Sequence, residues 1–258
     1  MDICESHKAL ASEVRNFILN VGDIKEESIT DFLVWKWREL DKRFNYLSVR
    51  TFNHDEESAR TGADFDFDLE LWLVGRRTHV ALAVQAKKFV RQHDSYVRKL
   101  RYPNGTKQQM DTLIRYAASN NRLPYYFFYA LSGPAMTSRC AASSLDGAVF
   151  VAEAGVMEEF ADGKRGGRVS RDALLAECSP FHCLFCCPFG ATKSNLRIYY
   201  PLGGDSATGL PNSDLPAYVK ALLRDSRGNV DEQGAQRDSN EGWSRFRAVG
   251  VYDLRNDA

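Results

Sequence analysis

The chain has 258 residues, 44% hydrophobic and 26% charged, which suits a globular protein of one large domain or a domain with an extension. Its 34 basic and 34 acidic residues cancel, which argues against broad, non-specific binding to nucleic acid. No apolar run reaches membrane-spanning length, and the opening MDICESHKAL lacks the basic start and apolar core of a signal peptide, so a cytoplasmic protein without membrane contact is expected. Six cysteines in that compartment read as thiols or a metal site rather than a disulfide framework.

The segment to about Leu40 has helical character. KEESITDFLVWKWREL sets Ile29, Phe32, Leu33 and Trp37 on one stripe, with Glu26 and Glu27 near its start, where they suit the helix dipole. A strand is predicted around Tyr46–Phe52 and an acidic one over Asp66–Val74, followed by a tight connection at Gly75-Arg76-Arg77. HVALAVQAKKF is nearly continuously apolar, as in a strand covered on both faces. After a polar, basic stretch comes a helix, TKQQMDTLIRYAASNN, with Thr106 as its cap, and then a buried strand, LPYYFFYAL. GAVFVAEA reads as a strand, RDALLAEC as a short helix, PFHCLFCC and LRIYY as strands. SDLPAYVKALLRD reads as a helix capped by Ser213 with Pro216 in its first turn. Residues 224–242 are polar enough for a mobile loop, and SRFRAVGVYDLR returns as a last strand.

Charge is distributed unevenly. Asp55 to Glu70 carries seven acids and one base; Arg76 to Lys107 carries nine bases and one acid. The first segment suits a cation and the second suits phosphates, although two oppositely charged surface elements read equally well. Within TGADFDFDLELW, the acids Asp64, Asp66, Asp68 and Glu70 fall on one strand face, and a solvated face accounts for most of that row. Gln85 and Lys87 share a face where the apolar strand meets the basic segment. An uncharged polar side chain inside ALAVQA needs a partner if buried.

The order helix, three strands, helix, strand, with TGAD on the second strand and QAK on the third, resembles the PD-(D/E)xK nuclease superfamily over about Glu26 to Leu131. The branch with Gln in the third-strand motif, as in Mrr-type restriction enzymes, is the most similar; TGAD…QAK also looks like a family of small bacterial proteins with that core. The resemblance implies a mixed α/β, restriction endonuclease-like core in residues 1–132, with 133–258 as a C-terminal extension packed on it. By position, Asp64 corresponds to the metal-binding acid, Gln85 to the usual Glu or Asp, Lys87 to the motif lysine and Glu27 to an acid on the first helix. Glu57, Gln108 and Gln109 are accessory candidates. The implied activity is Mg²⁺-dependent endonuclease cleavage of DNA, with Mn²⁺ able to substitute, leaving a 5′-phosphate and a 3′-hydroxyl, and with a role in bacterial antiviral defence. Lys88, Arg91, Arg98, Lys99, Arg101 and Lys107 would then meet DNA, and a homodimer or a regulatory partner protein is implied by double-strand cutting or its control. The alternative is a non-catalytic nucleic-acid or protein interaction module on the same fold.

CSPFHCLFCC holds Cys178, His182, Cys183 and Cys186 at spacings that zinc ligands use, but no second CxxC exists, and interleaved Phe181, Leu184 and Phe185 favour buried thiols.

Overall fold

The computed structural model describes residues 3–44, 46–51, 67–90, 100–102, 106–132, 147–164, 170–186, 209–225 and 246–255. Among the described residues, seven α-helices and eight strands form a mixed α/β fold. In chain order they are α1 (Ile3–Val21), α2 (Glu26–Asp41), β1 (Leu47–Thr51), β2 (Phe67–Val74), β3 (Thr78–Phe89), α3 (Gln108–Ser119), β4 (Leu123–Ala130), β5 (Val149–Glu153), α4 (Ala154–Ala161), α5 (Arg171–Ala176), β6 (Ser179–Pro180), α6 (Cys183–Cys186), β7 (Leu210–Pro211), α7 (Ala217–Asp225) and β8 (Phe246–Asp253). The sheet runs β1-β8-β2-β3-β4-β5-β6, and β7 pairs with the start of β3. Two pairs, β2 with β8 and β3 with β4, are parallel; the others are antiparallel.

One apolar layer joins α1 and α2 to the sheet through Val14, Ile18, Ile29, Leu33, Trp37, Leu71, Leu82 and Phe127. The second layer, with Trp72, Ala83, Phe128, Met110, Leu113, Met157 and Val219, seats α3, α4 and α7. Both faces of β2 and β3 are therefore covered, which is why β3 is apolar almost throughout. Coverage also overturns the solvated reading for Asp68 and Glu70, while Asp64 and Asp66 lie outside the described residues. Every residue of β2 is buried, including Asp68 and Glu70, because β8 lies beside β2 and takes it away from the edge. That last strand, from the C-terminal part of the chain, sits between β1 and β2.

Several local expectations change. The cap of α3 is Lys107 rather than Thr106, and it makes no side-chain cap bond. Ser213 lies in a 3₁₀ turn, Asn212–Asp214, where its hydroxyl meets Asp214 instead of capping a helix. PFHCLFCC is a short turn of helix, α6, preceded by the two-residue strand β6, not a longer strand. The helix α4 was not legible beforehand; it begins directly where β5 ends. The strand expected at LRIYY and most of the 224–242 loop lie outside the described residues.

Candidate active site

The β2–β3 hairpin places the chemistry. Its register pairs Leu69 with Val84 and Val74 with His79, so continuing it by one step sets Asp68 across from Gln85. Asp68 Oδ2 accepts from Gln85 Nε2 at 2.5 Å and from the Ala86 backbone N–H at 2.8 Å. Burial pushes the Asp68 carboxyl up to about 6; the Ala86 N–H and the Lys87 ammonium pull the other way, and Glu26 adds to the rise. Gln85 gives its amide N–H to Asp68 and leaves Oε1 buried without a hydrogen-bond partner. A buried acceptor in that condition is costly to the fold and is uncommon in native interiors.

Lys87 follows two residues on. It is buried, not an exposed strand end, with its side chain 9% accessible. Its Nζ lies 3.5 Å from Glu26 Oε1 and 5.9 Å from the centre of the Tyr102 ring, which is itself exposed. Glu26 Oε2 also accepts the Lys88 backbone N–H at 2.6 Å, so the first turn of α2 is tied to the end of β3. Thr30, one turn further along α2, meets the Tyr129 hydroxyl at 3.0 Å. Glu26, rather than the expected Glu27, is the α2 acid at the site; Glu27 is exposed. One residue of helical rotation separates the two positions by about 100°.

Asp64 and Glu57 lie outside the described residues, as do Arg91, Arg98 and Lys99. Gln108 is exposed and Gln109 half-buried at the start of α3, where the Gln109 N–H donates to the Tyr102 carbonyl. The remaining basic candidates are engaged. Lys88 Nζ donates to the Ile24 carbonyl, and Arg101 Nε to the Ala161 carbonyl. Lys107 bridges Asp162 at 2.8 Å and Glu158 at 3.1 Å, which fastens α3 to α4.

Glu70, two residues along β2 from Asp68, has a different environment. Its carboxylate accepts from Arg122 Nε at 2.7 Å and from the Tyr218 hydroxyl at 2.7 Å, and Arg122 stacks 4.9 Å from the Trp72 ring centre. This closed cluster anchors α7 to the sheet. The described cysteines of the CSPFHCLFCC segment are buried. Cys178 and Cys183 are buried thiols, and Cys178 Sγ donates to the Leu174 carbonyl at 3.3 Å. Burial takes the nearby His182 down to about 4. Cys4 is disulfide-bonded, so the cysteines are not all thiols or metal ligands. Among the described residues, no group of three or more His, Cys, Asp or Glu side chains is placed to hold a metal ion, so Cys178, His182 and Cys183 are not assembled as a zinc site, and the Cys186 side chain lies outside the described residues.

Fold and site together define a mixed α/β protein in which an acid, an amide and a lysine meet at the ends of two adjacent central strands. The chain belongs to the Family of unknown function (DUF6615), whose model matches residues 3–248. No curated protein and no solved structure matches it. No helix among the described residues is long and apolar enough to cross a membrane.

Proposed function

We propose that the strand-end cluster of Asp68, Gln85, Lys87 and Glu26 is the active site of a Mg²⁺-dependent nuclease of the PD-(D/E)xK type acting on DNA, inside the cell and in antiviral defence. The observation that carries this reading is the Asp68–Gln85 pair. A carboxylate with a raised pKa and an amide oxygen without a hydrogen-bond partner lie side by side next to a buried lysine. A cation at that place would relieve both costs, since it favours the ionised acid and takes up the orphaned oxygen. The donor set fits a hard cation: Asp68 and Glu26 offer carboxylates and Gln85 an amide oxygen, all oxygen atoms. When bound, Mg²⁺ supplies an acidified water and neutralises charge on the phosphate under attack.

The chain's own groups do the rest. Lys87 presents a positive donor at the reacting phosphate, and Glu26 holds that ammonium from the α2 side. The Ala86 N–H fixes the Asp68 carboxylate in place. Coverage of both sheet faces excludes water from behind the site and strengthens these charges.

A second reading, a non-catalytic binding module, is favoured by the Gln85 Nε2–Asp68 hydrogen bond, which partners the acid without a cation. Isothermal titration with Mg²⁺ separates the two. The nuclease reading expects saturable binding that Asp68→Asn removes; heat of dilution alone in the wild type contradicts it.

A further inference from the structure

Resting on the nuclease reading, we propose that Arg247 binds the nucleic-acid substrate at this site, gripping a backbone phosphate beside the bond to be cut. The argument begins with register. In the parallel β2–β8 pair, Phe67 faces Phe246 and Leu69 faces Ala248, so Arg247 lies beside Asp68 on the neighbouring strand. Gln85 flanks Asp68 on the other side. One row across three strands thus carries a cation, an acid and an amide.

The side chain lies towards α2, as Lys87 does. Arg247 Nη1 is 2.9 Å from Asp31 Oδ1, on the same helix as Glu26 and Thr30. Its charge also reaches Asp68 and Tyr129, both of which it pulls towards ionisation. The Asp31 carboxylate is 63% accessible and the Arg247 side chain 21%, so the acid side of the pair is open to exchange with a competing anion. A phosphodiester matches the planar guanidinium fork better than a single carboxylate oxygen does, and it can displace Asp31. Among the described residues, the other basic candidates have different contacts. Lys107 is held by two carboxylates away from the cluster, and Arg101 and Lys88 donate to backbone carbonyls. On this reading the strand from the far end of the sequence completes the site that the hairpin begins, and nucleic acid is the ligand class that the row accepts.

The test measures binding without cleavage, by fluorescence anisotropy of a labelled DNA duplex in Ca²⁺ over a salt series, and then Mg²⁺-dependent cleavage. Arg247→Gln should weaken binding about tenfold at low salt and reduce the slope of log affinity against log salt by about 1, and Arg247→Lys should recover most of the slope. In cleavage, KM should rise and kcat stay within about twofold. A role confined to balancing Asp68 in the fold would move the melting temperature without moving the salt slope. Unchanged slope and affinity in Arg247→Gln, or a loss confined to kcat, overturns the assignment. Should Arg247→Gln fail to fold, Asp31→Asn carries the test: removing the acid that competes with the phosphate should tighten binding about twofold or more at low salt, and unchanged affinity overturns it. A wild type that neither binds nor cuts overturns the nuclease reading as well; a wild type that does both beside an equivalent Arg247→Gln overturns this inference alone.

Discussion

Asp68→Asn should make the metal-free protein more stable while removing the proposed nuclease activity. The folded protein raises the Asp68 carboxyl from 3.8 to about 6. A carboxylate raised in this way contributes stability that is fully present below pH 3.8 and is lost as pH climbs through about 6. Two units correspond to roughly 3 kcal/mol against the folded state at pH 8. Asparagine removes that cost. Its amide oxygen can still accept the Ala86 N–H, at the loss of about 1 kcal/mol of charge assistance. That same oxygen can also keep the Gln85 Nε2–H bond, since a single atom of Asp68 accepts both donors. The net expectation is a gain of about 2 kcal/mol at pH 8, or about 5 °C in Tm for a chain of this size. Urea unfolding in EDTA at pH 4 to 8 measures it: the two proteins should converge towards pH 4 and separate above pH 6. Adding Mg²⁺ should raise the Tm of the wild type alone. An Asp68→Asn protein less stable than wild type at pH 8 without metal would refute the account of a strained acid.

Glu70→Gln should cost about 2 kcal/mol in urea unfolding, because it leaves the half-buried Arg122 guanidinium without its counter-charge; a loss under 1 kcal/mol would show that the α7 anchor is not electrostatic. Lys87→Ala should lower cleavage by at least about a hundredfold and raise the Asp68 pKa further, since Lys87 now lowers it; carbon-detected NMR titration of the carboxyl reads the second effect, and an unmoved titration would place Lys87 outside that field. Gln85→Glu should lower the Tm in EDTA, because two acids would share one buried site, and should gain more from Mg²⁺ than the wild type does. A lower Tm with no Mg²⁺ gain would remove Gln85 from the ligand set.

Asp68 and Glu70 lie on a strand, as their alternation with apolar residues suggests, but their solvated reading failed because exposure depends on a partner far away in sequence. The strand β8, more than 170 residues later, lies beside β2, and α7 brings Tyr218 over Glu70. Nothing in the local pattern encodes that covering. Asp64, chosen by resemblance, lies outside the described residues; Asp68 reaches the position facing Gln85 because the turn is only Arg76–Arg77, with Gly75 against Thr78, whereas a three-residue turn at Gly75–Arg77 would have set Val84 opposite Asp68. Glu26 against Glu27 was a matter of helix phase: the buried stripe through Ile29, Leu33 and Trp37 fixes which side of α2 faces the sheet. Gln85 itself was readable as a buried polar residue in need of a partner, and the structure supplies Asp68. Arg247 carried no signal in the sequence, because its place depends on where the last strand enters the sheet.

The most direct test of the central claim is incubation of supercoiled plasmid with purified wild type, Asp68→Asn and Lys87→Ala, each in Mg²⁺ and in EDTA. The account predicts nicked or linear DNA for the wild type in Mg²⁺ alone, with both variants inactive and folded. Intact plasmid in every lane, or cutting that survives in either variant, would contradict it.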